Sequence, residues 1–205
     1  MTYTQTGDSS VLALRDRPPA EPGTREVLVQ VVISGVNPTD WKRRAGASGQ
    51  VLDFSEVVPN QDGAGVVKAV GPGVHDLAVG DRVWMYLAQA GRPTGTAQEY
   101  VALPASRVVP LPDGASFEVG ASLGVPAMTA HRALTVSEDW PDRLYPGALT
   151  GATVLVAGGA GAVGHAAIQL ARWAGATVIT TVSGPGEGCL GDGRGRTPRR
   201  QLQDR

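Results

Sequence analysis

The spacing of apolar and polar positions changes character along the chain and divides it into three stretches. In the first, VLVQVVI at residues 27–33 puts Val27, Val29, Val31 and Ile33 on one face of a strand, and Gly35 ends the run with a bend. Asp62 to Val70, DGAGVVKAV, is glycine-rich, then β-branched, and runs into the turn GPGV. Leu77 to Met85 turns at Gly80 and Asp81 before a further short strand, and Thr96 to Leu103 and Arg107 to Val109 repeat the pattern. Short strands broken by Gly and Pro predict a small, irregular β-barrel or sandwich.

After Pro112-Asp113-Gly114 the period becomes helical. Ser116 is a candidate N-cap, one helical segment is expected around 117–124, and another opens at Pro126 and runs to about Leu134. The turn-rich DWPDRLYPG then leads into TVLVAGGAGAVGHAAIQLARWAGATVITTVS, from Thr153 to Ser183. Thr153 to Ala157 reads as a parallel strand buried on both faces. Val163, Ala166, Ala167, Leu170, Trp173 and Ala174 recur at helical spacing, Gly175 stops the helix, and Thr177 to Val182 is a second β-rich run.

Between that strand and that helix, Gly159, Gly161 and Gly164 form GxGxxG. The first glycine allows the tight turn, the second lets backbone N–H groups reach a pyrophosphate, and the third lets helix and strand approach. A packing turn without a ligand is the alternative. The flanking strand, amphipathic helix and second strand favour the dinucleotide reading, which makes the backbone from Gly159 through Ala162 and Val163 to Gly164 the candidate cofactor site.

Composition removes several other classes. With 205 residues, 42% hydrophobic, 18% charged and a formal net charge of −1, the chain lacks the electrostatic footprint of a nucleic-acid binder. No apolar stretch is long enough for a membrane span, the N-terminus has no signal-peptide pattern, and cytoplasm is the expected compartment. The single cysteine, Cys189, rules out a disulfide framework and a cysteine-rich zinc site.

The segments SGVNPTDWKRRAG, DGAGVVKAVGPGV, VGDRVW, GTAQEYV, ASLGVPAMTAHRAL and VLVAGGAGAVGHAAIQLARWAGA resemble, in order, the medium-chain dehydrogenase/reductases, and within them the zinc-independent, quinone-oxidoreductase-like branch. The resemblance implies α/β plus β architecture: a GroES-like β-barrel substrate domain over 1–115, then an incomplete Rossmann domain, a doubly wound parallel sheet, over 116–183, with the cofactor in the cleft between the two. It implies hydride transfer from NADPH to a quinone or a related activated carbonyl or enone, and a homodimer is compatible with it. It brings Asn37 and Thr129 towards the nicotinamide end of the cofactor and Ser183 towards the adenosine ribose and its 2′-phosphate. On the residues alone, Asn37 could equally shape the turn before Pro38, and Thr129 could be an ordinary helix position.

Zinc-dependent relatives carry metal ligands where this chain has Asn37, Gln61 and Val125, which do not supply a zinc donor set, so no metal is expected. His75, His131 and His165 lack ligand spacing. No catalytic residue is identified, and Tyr86 and Lys42 are general-acid candidates only in so far as they lie near the cleft. The run ITTVSG from Ile179 to Gly184 holds no acid to accept from ribose hydroxyls or repel a 2′-phosphate, which favours NADPH over NADH.

From Gly184 the composition shifts to six glycines and five arginines in the last 22 residues. Such a run builds neither the next helix nor another strand. It reads either as a Gly/Arg-rich binding arm or as a shifted reading frame. Codons permitted from Gly186 onward, read one base later, can encode helical spacing, a glycine and a β-rich run, so the frameshift is favoured. On that reading the tail over 184–205 is disordered and the chain is a truncated, impaired form of the parent enzyme. The alternative in a different class is an inactive product that retains only the folded GroES-like module.

Overall fold

The computed structural model describes residues 1–49 and 52–183. The expectations for 184–205, including the shifted frame, lie outside the described residues. The chain divides into two compact units between Val125 and Pro126, beyond the boundary at 115 drawn from the sequence.

In the first unit, β1 (Glu26–Gly35), β2 (Asp62–Val70), β3 (Arg82–Met85), β4 (Tyr100–Pro104) and β5 (Val108–Pro110) form one antiparallel sheet in the order β4-β1-β2-β3-β5. Alternation drives it, because Val27, Val29, Val67, Val83, Met85, Val101, Leu103 and Val108, from all five strands, join in one buried cluster. Register shifts in the β1–β2 ladder, between Leu28 and Val29 and between Val31 and Ile33, bend the pair around that cluster. The strand expected from Thr96 begins only at Tyr100. Thr96 is instead a buried polar residue whose Oγ1 donates to the Asp62 carbonyl oxygen, and that bond satisfies its hydroxyl off the ladder.

The short α1 (Pro38–Arg44) starts with Pro at its first position and ends in Lys42, Arg43 and Arg44, both favourable for a helix. Where the sequence predicted two helical segments, the structure has a single α2 (Phe117–Thr135) with Pro126 inside it. Proline removes an N–H from the helix, and the preceding Val125 N–H donates to Asp62 Oδ2 at 2.7 Å, so a side chain from β2 helps hold this step. The first half of α2 approaches the sheet through glycines. A Cβ at Gly124 would lie 2.1 Å from Asp62 Oδ1, and one at Gly35 would lie 2.3 Å from the Ala121 carbonyl oxygen.

In the second unit, β6 (Thr153–Val156) and β7 (Thr177–Thr180) pair in parallel across α3 (Ala162–Trp173). Val156, Ala167, Ala171, Ala174 and Val178 form the core with Ala130, Leu134 and Leu149. Two sequence expectations are corrected here. β6 is not buried on both faces: Val156 is buried, but Leu155 on the opposite face is 68% exposed, because α3 covers only one side of the pair. The buried stripe of α3 runs through Gly164, Ala167 and Ala171, while Val163 and Trp173 are exposed, since small side chains let the helix lie close to the strands.

Candidate functional site

In the first unit, polar side chains converge beneath the loop that joins β1 to α1. Asn37 is 7% exposed, Asp40 5%, Gln61 7% and Asp62 1%. The Asn37 N–H donates to Asp40 Oδ2 at 2.7 Å, and Asn37 Nδ2 donates to Asp62 Oδ2 at 2.8 Å. Asn37 therefore joins two buried carboxyl groups, one through its backbone and one through its side chain. Burial raises the Asp40 pKa to about 6; the backbone N–H bonds to Asn37 and Gln61 oppose the shift, and the Asp62 carboxylate adds to it. Burial also raises Asp62, against hydrogen bonds from the Val125 N–H and the Asn37 side chain. The Gln61 amide is engaged with Gln89: Gln61 Oε1 accepts the Gln89 N–H at 3.2 Å.

These positions offer little to zinc. Asn37 and Gln61 present amides, Val125 has no side-chain donor atom, and among the described residues no group of three His, Cys, Asp or Glu side chains could hold a metal ion.

In the second unit, the glycine turn joins β6 to α3. Its backbone departs from the roles read off the sequence. The left-handed residue is Gly158, at φ 69°, one position before the motif. Gly159 is a close-packing glycine, because a Cβ there would lie 2.0 Å from Thr180 Oγ1. A Cβ at Gly164 would lie 2.3 Å from the Gly158 carbonyl oxygen, which fits its expected role of close approach. Gly161 is the N-cap of α3 and offers no capping side chain; Gly161, Ala162 and Val163 are all exposed. Within 4 Å, a Cβ at Gly161 would meet only the Gly158 carbonyl oxygen, at 3.3 Å. The first-turn N–H groups of a helix are donors with positive partial charge, and here they open on an exposed stretch with no side-chain cap, an arrangement that can hold an anion.

The remaining candidates are placed as follows. Thr129 is an exposed α2 residue, and Ser183 is exposed after β7. Tyr86 donates its hydroxyl to the Ser106 carbonyl oxygen at 2.7 Å, and Lys42 Nζ sits 5.7 Å from the Trp41 ring centre. His75 and His165 are exposed and His131 is half-buried on α2. The sequence reading missed Asp40 and Asp62 as site residues. The signal was there: an acid opening the apolar run DGAGVV has to be buried and therefore hydrogen-bonded. It also missed Thr181, whose Oγ1 accepts the Gly158 N–H at 3.1 Å and ties β7 to the turn.

Residues 23–113 match the alcohol dehydrogenase GroES-like domain. The quinone oxidoreductase of Mus musculus is 37% identical over 162 residues, which are 78% of this chain and 44% of that protein. The 2-methylene-furan-3-one reductase of Solanum lycopersicum is 33% identical over 193 residues, 91% of this chain and 47% of that protein. A mycobacterial structure solved in complex with NADPH aligns with a TM-score of 0.76 at 31% identity, covering 100% of this chain and 58% of that one. The chain thus spans about half the length of the curated relatives it matches.

Proposed function

The chain belongs to the medium-chain dehydrogenase/reductases of the quinone-oxidoreductase-like type, and from that premise we propose that it is an NADPH-dependent reductase of quinones or of related activated carbonyls and enones. The observation that carries the reading is the exposed, glycine-lined N-terminus of α3, whose first-turn N–H groups suit a dinucleotide pyrophosphate. NADPH, when bound, supplies the hydride from its nicotinamide ring.

The chain's residues then act by binding and orientation. The N–H groups of Ala162, Val163 and Gly164 take the pyrophosphate. Ser183 and Thr181 bring hydroxyls and no acid to the end of β7, which suits a 2′-phosphate better than bare ribose hydroxyls. Asn37 and Thr129 serve the nicotinamide end, as in the family. The proton that follows the hydride is not assigned to a side chain, since the Tyr86 hydroxyl is engaged with Ser106. Cytoplasmic residence and a homodimer belong to the same proposal.

The proposal includes impaired turnover in the 205-residue chain, because Leu155 lies open on β6 in a sheet that among the described residues has two strands and excludes water poorly from a site beside it. Oxidation of NADPH with a naphthoquinone or an enone as acceptor tests both parts, run on this chain and on a chimera carrying the C-terminal half of the mouse relative. Turnover that is weak in the chain and strong in the chimera is expected. Equal turnover in the two would overturn the impairment, and none in either would overturn the reductase reading.

A further inference from the structure

Asp62 stands opposite Gly35 in the β1–β2 ladder, and its side chain links elements beyond that ladder. It opens β2, is 1% exposed, and gives a single oxygen, Oδ2, to two donors on different elements: Asn37 Nδ2 at 2.8 Å and the Val125 N–H at 2.7 Å. Among the described residues its other oxygen, Oδ1, has no hydrogen-bond partner, and the α2 backbone at Gly124 crosses so close to it that a Cβ there would lie 2.1 Å away. Leaving a buried acceptor unsatisfied costs free energy, a cost that filling space does not explain and that the two bonds to Oδ2 offset.

An ionised carboxylate only accepts hydrogen bonds. The opposite flip of the Asn37 amide would set its Oδ1 against a carboxylate oxygen, so Asp62 leaves one orientation: nitrogen towards Asp62, oxygen at the first turn of α1, where it stands in a capping box with the Asp40 N–H and keeps a second lone pair for a ligand. The same oxygen Oδ2 accepts the Val125 N–H, next to the Pro126 that lies inside the continuous helix α2.

We propose that Asp62 is a positioning residue that fixes the Asn37 carboxamide as a hydrogen-bond acceptor and ties it to the Pro126 step of α2. Asn37 then selects a ligand group that donates an N–H or O–H, such as a primary carboxamide. The inference deepens the reductase reading and, in its functional part, rests on it.

The test reads the Asn37 side-chain amide by NMR in the full chain, with its resonance assigned by its loss in Asn37→Ser. In the unsubstituted protein a scalar coupling across the hydrogen bond, from Asn37 ¹⁵Nδ2 to Asp62 ¹³Cγ, is expected. Asp62→Ala should shift both Asn37 amide protons to free-amide positions while the Val29, Val67 and Val83 methyl resonances stay in place. Asp62→Asn keeps an acceptor oxygen and should hold the protons near their original shifts. Absence of the coupling in the unsubstituted protein overturns the proposal even if Asp62→Ala fails to fold. So does an Asn37 amide indifferent to Asp62→Ala, or one released equally by Asp62→Asn. The reductase reading is tested apart from this, by whether NADPH shifts the amides of Gly161 to Val163 in the same spectra.

Discussion

At Asp40, burial and the neighbouring Asp62 carboxylate disfavour ionisation, and the folded pKa of about 6 stands above the ordinary value near 3.8. The folded state therefore binds more protons than the unfolded chain between these values, so stability falls as pH rises through that window and the whole cost is present above it. At about 1.4 kcal/mol per unit, the cost at neutral pH is roughly 2 to 3 kcal/mol. Asp40→Asn keeps an acceptor for the Asn37 N–H and removes the charge. Urea unfolding should show the variant gaining on the unsubstituted protein by about that amount from pH 4.5 to pH 7.5; a constant difference would remove Asp40 as the cause. Asn60 is a second sensitive residue. It stands at φ 78° and donates from Nδ2 to Ser34 Oγ at 2.9 Å. Asn60→Gly keeps the backbone and loses one hydrogen bond, so a thermal melt should register about 1 kcal/mol or less, whereas Asn60→Val should cost about 1 to 3 kcal/mol from left-handed strain.

Each element's sequence pattern was legible to the extent that the element satisfies itself. Asp62–Val70 was read with the bounds that β2 has, because glycines followed by β-branched residues leave few alternatives. The sequence of α2 reads as two segments because Pro126 is a local signal to stop, and the compensating bond from Val125 to Asp62 is a long-range fact absent from local spacing. The helical spacing of α3 finds Ala167 and Ala174 in the core but also marks Val163 and Trp173, which are exposed, because apolar size is visible in sequence whereas the close fit at Gly164, Ala167 and Ala171 is not. The glycine motif was found but its parts were not, since φ at Gly158 and the approach of Thr180 to Gly159 depend on the folded turn. The structure distinguishes two glycine substitutions at the turn. Gly164→Ala drives a Cβ to 2.3 Å from backbone oxygen and should destabilise the second unit by about 1 to 3 kcal/mol. Gly161→Ala meets its nearest atom at 3.3 Å and should leave stability within about 0.5 kcal/mol while weakening dinucleotide binding. Hydrogen exchange of the α3 amides separates the two; equal loss of protection would contradict the packing account.

For the whole molecule, stability should divide at the Val125–Pro126 boundary. The core of the first unit is built from valines, leucine and methionine on five strands, whereas alanines supply much of the second core and Leu155 stays open. Burial of a large aliphatic side chain contributes about 1.5 to 3 kcal/mol and alanine far less, so limited proteolysis should cut the second unit before residues 1–115. Cleavage of the first unit first would contradict this ordering. The central claim, that the turn from Gly158 into α3 receives NADPH, is read most directly by titrating the ¹⁵N-labelled chain with NADPH and separately with NADH, which resolves even weak binding residue by residue. The account predicts saturable shifts centred on the amides of Gly161, Ala162 and Val163, reached at lower concentration with NADPH than with NADH. Unmoved amides at those three positions, or half-saturation by NADH at the lower concentration, would contradict it.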